Sequence, residues 1–192
     1  ANLSSIAEAS DVILIVVPGG LGPNRSVSLQ NVEFVARQLR GLKRGALVIL
    51  ETSVPVGTTR NLLATAIEAN GLRAGIDFHI AYSPERVKSM SILTQLKETP
   101  KIVGGLTQEC VKRAAEFYRS YLQTTVIEAE SLEAAEFSKL AGMMYRDVNI
   151  ALANELAEYA EAIGVSFGSI RGMANTDGEA SLLHPGISVG GH

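Results

Sequence analysis

The chain is poor in the residues that build disulfide frameworks and metal centres. Its 192 residues include one cysteine, Cys110, three histidines and no tryptophan. One cysteine cannot form an intramolecular disulfide, and a zinc site usually needs about four Cys or His ligands. We therefore expect no metal site, and we interpret Cys110 as a small core residue rather than a nucleophile.

Long apolar runs and an excess of charge of one sign are also missing. The longest apolar run, Val12–Pro18, is far shorter than the ~20 residues of a membrane-spanning helix, and no charged and then apolar leader comes before it. Lys and Arg number 17 against 20 Asp and Glu, so the net charge is −3 and no basic run offers a surface for nucleic acid or an anionic membrane. We expect a cytoplasmic protein with neither as a partner.

Aliphatic residues, by contrast, are plentiful and follow a pattern: 46% of the chain is hydrophobic, in short runs that alternate with helical segments. This alternation is typical of βα units and predicts an α/β fold, part of a doubly wound parallel, Rossmann-like sheet. Thr58 or Thr59 is the predicted cap of the second helix. Predicted strands cover 11–17, 46–50, 78–81, 102–103 and 126–127, and predicted helices cover 29–42, 58–71 and 107–122.

The composition changes at Ser131. More than thirty residues without proline follow, with apolar residues spaced by threes, fours and sevens as far as Ile163. This predicts one long helix ending at Gly164, then a short helix over 166–174. The long helix would measure ~45–50 Å, more than a small domain is wide, so we expect it to pack against a second subunit. The predicted domains are 1–128 and 129–192.

Ligands of a doubly wound sheet bind beyond the carboxyl ends of its strands, and two loops there are rich in polar groups. Thr52 and Ser53 follow the second predicted strand; the alternative is a plain turn with a helix cap. Glu85 and Arg86 follow the third, where Glu85 could act as a general base and Arg86 could bind a phosphate or carboxylate. The alternative for this pair is a surface ion pair.

Two further features stay open between a functional and a structural interpretation. Lys139 on the long helix is either a solvated charge or a group that stabilises an oxyanion or a covalent intermediate. The glycines near residue 190 either admit a ligand close to the backbone or form a turn. No G-x-G-x-x-G motif follows a strand, since the glycines at 19, 20 and 22 have the wrong spacing, so the usual phosphate cradle is missing.

The order of these segments resembles the UDP-glucose/GDP-mannose dehydrogenase family, and within it the UDP-N-acetylmannosamine dehydrogenase type. The resemblance covers nearly the whole chain from Asp11. Its motifs are Val17-Pro18 at a strand end, Thr52–Thr58, Ser83–Val87, a Lys-Ile-Val-Gly-Gly strand, Glu136 with Lys139 and Leu140, Tyr145–Ala151, Asn154–Leu156 and Pro185–His192.

The resemblance implies an NAD-dependent, two-fold oxidation of the 6-hydroxyl of a UDP-sugar to a carboxylate, through an aldehyde and a cysteine thioester, as used in polysaccharide biosynthesis. It implies that the long helix over 131–163 forms a homodimer. By position, it gives catalytic roles to Ser53 (water), Glu85 (acid and base) and Lys139 (oxyanion), cofactor contacts to Val17, Pro18, Thr52 and Ser53, and substrate contacts to Glu85, Arg86, Val87, Lys139, Arg146, His184, Val189 and Gly190.

The chain also departs from the family pattern. It lacks the amino-terminal βαβ unit with its glycine fingerprint and the carboxyl-terminal domain, and the nucleophilic cysteine would directly follow His192. Met143 stands where the family has an asparagine, Gly19-Gly20 where it has Thr-Pro, and Ser188 where it has a glycine. We expect the central part of an enzyme, inactive alone. The alternatives are an inactive homologue that dimerises or binds a sugar nucleotide, and, less favoured, an unrelated NAD(P)-dependent dehydrogenase or reductase.

Overall fold

A five-stranded sheet is the framework of the first of two units, Ala1–Lys139 and Leu140–His192, in the computed structural model of this chain. The structure describes residues 3–22, 24, 26–87 and 92–187. The strands of the sheet, in spatial order, are β1 (Val12–Ile15), β4 (Leu47–Leu50), β5 (His79–Tyr82), β6 (Lys101–Gly105) and β7 (Val126–Glu128).

Helices and a short hairpin connect these strands. Helix α3 begins with a π-helical segment, Thr59–Ala64, and continues as an α-helix, Thr65–Glu68. The other elements of the first unit are α1 (Leu3–Ala9), the hairpin of β2 (Gly20–Leu21) and β3 (Val27–Ser28), α2 (Gln30–Gln38), α4 (Ile92–Glu98) and α5 (Gln108–Leu122); then come α6 (Leu132–Ala162), which continues into the second unit, and α7 (Phe167–Ala174).

The predicted α/β class is confirmed, and the sheet is parallel except for the pair of β5 and β6. Every residue of β4 and β5 is buried, as expected of strands covered on both faces. Ala81 pairs with Gly105 and Tyr82 with Gly104, so β6 runs back along β5 from its carboxyl end. Because of this reversal, Lys101 at the start of β6 lies at the edge where β4 and β5 end.

The two faces of the sheet have separate cores. One contains Val48, Leu50 and Ile80 with residues of α2, α3 and the start of α6; the other contains Ile49 and residues of α5. The glycines that end β6 are explained by this packing. A Cβ on Gly104 would lie 2.3 Å from the carbonyl oxygen of Ser131, and one on Gly105 would lie 2.6 Å from the nitrogen of Val111.

The predicted elements are present, with shorter ends in several cases. The helix predicted over 29–42 ends at Gln38, and the strand predicted over 11–17 covers Val12–Ile15. Helices α1 and α4 and the hairpin were not predicted, because seven-residue helices and two-residue strands are too short to show a periodicity.

The long helix has the predicted extent. It covers 31 residues, about 46 Å at 1.5 Å per residue. The hydroxyl of Ser131 accepts from the backbone N–H of Ala134 at its start, and Gly164 with φ 74° follows its end. Among the helices that the structure describes, none combines the length and the apolar character that a membrane crossing requires.

Candidate active site at the sheet edge

The loop after β4 is tied to the end of β1. The backbone N–H of Glu51 donates to the carbonyl of Ile15 at 2.9 Å, and the hydroxyl of Thr52 donates to the carbonyl of Val17 at 2.7 Å. Thr52 is therefore buried, whereas the next residue, Ser53, is exposed. The structure thus brings together, at one edge, the residues that the resemblance gives to the cofactor: Val17, Pro18, Thr52 and Ser53.

The loop after β5 lies directly beside it. The parallel pairing of β4 and β5 continues past the ends of both strands. The backbone N–H of Ser83 donates to the carbonyl of Leu50 at 3.0 Å, and that of Glu85 donates to the carbonyl of Glu51 at 3.3 Å. Lys139 reaches this loop from α6, where its Nζ donates to the carbonyl oxygen of Glu85 at 2.5 Å. Glu85 and Lys139, 54 residues apart in the chain, are therefore neighbours.

Glu85, Arg86 and Lys139 each form a side-chain hydrogen bond to a backbone group. The guanidinium of Arg86 donates to the carbonyl of Pro100, and the carboxylate of Glu85 accepts from the backbone N–H of Val87. Among the described residues, Glu85 and Arg86 form no ion pair with each other, and both side chains hydrogen-bond to backbone groups instead. Lys139 is half-buried and hydrogen-bonded, not a freely solvated charge.

Burial sets the acid–base character of Lys139. Loss of solvation lowers the pKa of Lys139 below its ordinary value; the negative charge of Glu85 opposes this shift, and the positive charges of Arg86 and Lys101 add to it. A lysine that keeps its charge in a partly dry site stabilises an anion more strongly than one in water, because the local dielectric constant is lower.

A buried ion pair that the sequence did not predict joins Glu51, directly after β4, to Lys101 at the start of β6. Lys101 Nζ lies 3.0 Å from Glu51 Oε1, and the hydroxyl of Tyr118 donates to the same oxygen. Lys101 Nζ is also 4.6 Å from the centre of the Tyr118 ring. Burial, together with the nearby charge of Glu51, raises the pKa of Tyr118 well above its usual range. The only signal in the sequence is one charged residue at the end of an apolar strand and one at the start of another.

Helix α3 is capped by a residue of α6. The fully buried carboxylate of Glu136 accepts hydrogen bonds from the backbone N–H of Gly57 at 2.5 Å and of Thr59 at 2.8 Å. The hydroxyl of Thr59 donates to it at 2.6 Å, and that of Thr58 donates to Pro55. Thr58 occupies the N-cap position, but its side chain makes no capping hydrogen bond, and the backbone N–H of Thr59 donates to Glu136 instead. The predicted cap by a threonine hydroxyl is therefore replaced by the carboxylate of Glu136.

In the second unit, two asparagines hold the loop after α7. The side chain of Asn175 accepts from the backbone N–H of Leu182 at 2.8 Å and donates to its carbonyl at 3.1 Å. Asn154 makes the same pair of bonds to Gly186, at 2.9 and 2.8 Å. Each side-chain amide thus accepts from the N–H and donates to the carbonyl of one residue, as a neighbouring strand would. Asn175 fixes the loop at Leu182, and Asn154 fixes it at Gly186.

Two of the remaining predicted substrate residues, Arg146 and His184, belong to this unit. Arg171 donates to the carbonyl of Leu182, and its Nη2 lies 2.6 Å from Nε2 of His184. Because a guanidinium only donates, that nitrogen of His184 is the acceptor. Arg146 is exposed on α6. Val189 and Gly190 lie outside the described residues.

The edge formed by β1 and β4 suits one end of a dinucleotide. Gly19 follows the end of β1 beside the Ser53 loop, where a Cβ would be in ordinary contact with the carbonyl oxygen of Ser53 at 3.5 Å. An exposed hydroxyl and backbone groups are suited to the amide of a nicotinamide. No glycine-rich turn of the kind that holds a pyrophosphate leads from a strand into a helix in the described part of the chain. The fit therefore extends to the nicotinamide end alone.

These features define a class: an α/β protein of the dinucleotide-binding type, with titratable side chains gathered at its ligand edge. Residues 1–122 match the model of the UDP-glucose/GDP-mannose dehydrogenase family, NAD binding domain, and residues 133–192 match that of the family's central domain. The chain belongs to this family of nucleotide-sugar dehydrogenases. The resemblance found in the sequence is confirmed, and NAD is confirmed as the cofactor of this type of domain.

Similar proteins support the assignment to this family, and the chain corresponds to only part of their length. It is 36% identical to a UDP-N-acetyl-D-mannosamine dehydrogenase of Pyrococcus horikoshii over 96% of its length and 44% of the relative. It is 35% identical to an NDP-N-acetyl-D-galactosaminuronic acid dehydrogenase of Ralstonia solanacearum, over 96% and 45%. A solved structure of the Pyrococcus horikoshii UDP-D-ManNAc dehydrogenase matches with a TM-score of 0.90, over 98% of this chain and 45% of that one. The chain spans less than half the length of these relatives.

Proposed function

We propose that this chain is the central part of an NAD-dependent nucleotide-sugar 6-dehydrogenase that oxidises the 6-hydroxyl of a UDP-sugar to a carboxylate. The observation that carries the proposal is the contact of Lys139 with the carbonyl of Glu85, beside the Ser53 loop. A cation, a carboxylate and an exposed hydroxyl at one ligand edge are the groups that an oxidation through a tetrahedral oxyanion needs. The family membership supports the same reaction.

The stoichiometry follows from the chemistry. NAD, when bound, accepts one hydride in each of two oxidations. Each oxidation also releases a proton, and water supplies the second oxygen of the carboxylate, so two NAD are reduced for each sugar. We include a thioester in the proposal: the thiol of a cysteine that would follow His192 adds to the aldehyde, and the second hydride transfer converts this adduct to the thioester. Hydrolysis by water then releases the carboxylate and restores the thiol.

The residues of this chain divide the work by position. Glu85 moves protons, Ser53 orients the attacking water, and Lys139 stabilises the oxyanion. Thr52 holds the segment after β1 through its hydrogen bond to the carbonyl of Val17. Val17 and Pro18 form the part of the cofactor site that faces the nicotinamide. The proposed substrate contacts are Glu85, Arg86, Val87, Lys139, Arg146, His184, Val189 and Gly190.

The assembly and setting of the protein are part of the proposal. We propose a homodimer through 131–163, a division of the chain into 1–128 and 129–192, and a location in the cytoplasm. The dimer is supported by the row of exposed apolar side chains along α6, which includes Met144, Val148 and Leu152.

The test is an assay of the protein encoded by the complete gene. NADH is followed with a panel of UDP- and GDP-sugars, and we expect two NADH per sugar with at least one UDP-sugar. The variant Lys139→Met should lose this activity, whereas Lys112→Met, at an exposed lysine of α5, should keep it. A folded protein that forms no NADH with any sugar nucleotide would overturn the proposal.

A second candidate is an inactive homologue that dimerises or binds a sugar nucleotide. It is favoured by Met143, which offers no useful hydrogen bond where the family has an asparagine. Calorimetry distinguishes the two: saturable binding of a UDP-sugar without NADH formation would support the binding module, and turnover would exclude it.

A further inference from the structure

We propose that Glu136 is a positioning residue of this site: its buried carboxylate holds the loop that carries Ser53 at a set distance from the helix that carries Lys139. The inference rests on the function proposed above, because it concerns the alignment of two groups that act in the same reaction. It assigns a role to a side chain that would not itself touch the substrate.

The first observation is that both carboxylate oxygens are used. Oε2 of Glu136 accepts from the N–H of Gly57, and Oε1 accepts from the N–H and the hydroxyl of Thr59. The side chain is 0% exposed, and its partners lie 77 and 79 residues away in the chain. Charge-assisted hydrogen bonds of this kind are about twice as strong as neutral ones, and the helix N-terminus favours a negative charge.

The second observation is where the partners lie. The hydroxyl of Thr52 fixes one end of the loop to Val17, and Glu136 fixes the other end at Gly57. Ser53 lies between these two anchors. The carboxylate of Glu136 hydrogen-bonds α6 to the backbone of this loop at Gly57, and Val54 of the loop lies in the same buried cluster as Leu132 and Ala135 of α6. Glu136 therefore adds a directional bond to this packing, and the two together set the position of Ser53 relative to α6.

The third observation is that α6 makes contacts at three-residue intervals. Glu133 pairs with Arg60 at 2.6 Å, Glu136 holds the loop after β4, and Lys139 holds the loop after β5. Residues three apart share a helix face. One rigid helix thus joins the two loops of the site, and a shift at Glu136 changes the distance between Ser53 and Lys139.

Capping alone does not account for Glu136. A threonine is among the residues that cap helices locally, and the chain has threonines at both 58 and 59. Instead their hydroxyls donate hydrogen bonds, and the acceptor comes from a remote helix. A buried carboxylate is costly unless fully hydrogen-bonded, so its use here is explained by the connection that it makes.

The test compares Glu136→Gln with Glu133→Gln in the protein encoded by the complete gene. An amide offers one acceptor oxygen where the carboxylate offers two, so Gly57 or Thr59 loses its partner. We expect kcat to fall about 10- to 100-fold with little change in either KM, because loss of alignment acts on the chemical step. Hydrogen exchange at the Gly57 and Thr59 amides should become faster. Glu133→Gln, which loses a partly exposed ion pair one turn earlier, should change neither readout.

A second variant and a second measurement complete the experiment. If Glu136→Gln does not fold, Thr59→Val removes one of the three hydrogen bonds at constant shape, and a smaller loss of kcat is expected from it. If the wild-type protein has no activity, NMR titration of Lys139 replaces kcat. Loosening of α6 should raise the pKa of Lys139 toward its ordinary value, whereas removal of a negative charge alone would lower it. Unchanged amide exchange, or unchanged kcat in the folded Glu136→Gln variant of an active enzyme, would overturn the proposal.

Discussion

Charged side chains in the interior are the most unusual single residues of this protein. Glu51, Lys101 and Glu136 are 8%, 6% and 0% exposed. Each is compensated in a different way: Glu51 and Lys101 by one another and by Tyr118, and Glu136 by backbone and hydroxyl donors. All three lie at or near the edge where β4 and β5 end, so the stability and the geometry of the site depend on the same groups.

Breaking the buried ion pair should destabilise the fold strongly. We expect Lys101→Met to lower the free energy of unfolding by about 3–5 kcal/mol, because it leaves the Glu51 carboxylate buried without a cation. Urea denaturation measures this effect. The double variant Lys101→Met/Glu51→Gln should recover most of the loss, since the amide oxygen still accepts from Tyr118.

The control for this experiment is an ion pair on the surface. Lys43 and Asp11 lie 2.5 Å apart, with half or more of each side chain exposed. Lys43→Met should therefore cost no more than about 1 kcal/mol. Equal losses for the Lys101 and Lys43 variants would show that burial of the pair does not determine its importance.

The pH dependence of turnover should report Lys139. Its pKa is lowered from 10.5 by burial, and only the protonated form stabilises an oxyanion. Activity is therefore expected to fall as the pH rises through this lowered pKa, so the alkaline limb of kcat lies below pH 10.5. In Lys139→Arg this limb should move to higher pH, because a guanidinium keeps its proton. An alkaline limb that is the same in both proteins would assign it to another group.

At the scale of elements, apolar patterns predicted what is buried but not how the strands are directed. The runs at 46–50 and 78–81 became β4 and β5, both fully buried. The same pattern could not show that β6 is antiparallel to β5, because the periodicity of a strand is the same in both directions. That direction is what brings Lys101 to the site edge.

The loop after α7 is held at Gly186 by the side chain of Asn154, a residue of α6. Asn154→Asp keeps the acceptor for the N–H of Gly186 but places a second oxygen where the amide donated to the Gly186 carbonyl. We expect the KM for the sugar nucleotide to rise about 10-fold, with faster exchange of the Gly186 amide. The control is Asn149→Asp, whose amide donates to Tyr145 within the helix. Comparable changes in the two variants would argue against a specific role of Asn154 in holding the loop.

At the scale of the whole molecule, the exposed apolar row on α6 is the main feature without a partner in the described chain. Tyr145, Val148, Leu152 and Tyr159 are 56%, 66%, 45% and 66% exposed. Soluble monomers rarely expose such a contiguous apolar row, and rows of this kind mark interaction surfaces. Burial of this row against a second copy of the chain would remove its apolar surface from water, which is the physical reason for the proposed homodimer.

Light scattering at micromolar concentration should give the mass of a dimer. Val148→Glu should shift the protein toward the monomer, because it would place a charge in the centre of an apolar interface. Glu161→Lys, an exposed position on the other side of the helix by its spacing, should leave the dimer intact. A wild-type protein that is monomeric at this concentration would refute the proposal.

The sequence by itself determined the class of fold, the long helix and the family, because these depend on periodicity and on motif order along the chain. It also marked Ser53, Glu85 and Lys139 as candidates. The tertiary structure decided which groups meet: Lys139 with the carbonyl of Glu85, and Glu136 with Gly57. Such contacts join residues 54 and 79 positions apart, and local patterns carry no information about them. They follow from the packing of Leu132 and Ala135, at the start of α6, in the core on one face of the sheet, and from the need of each buried charge for a partner.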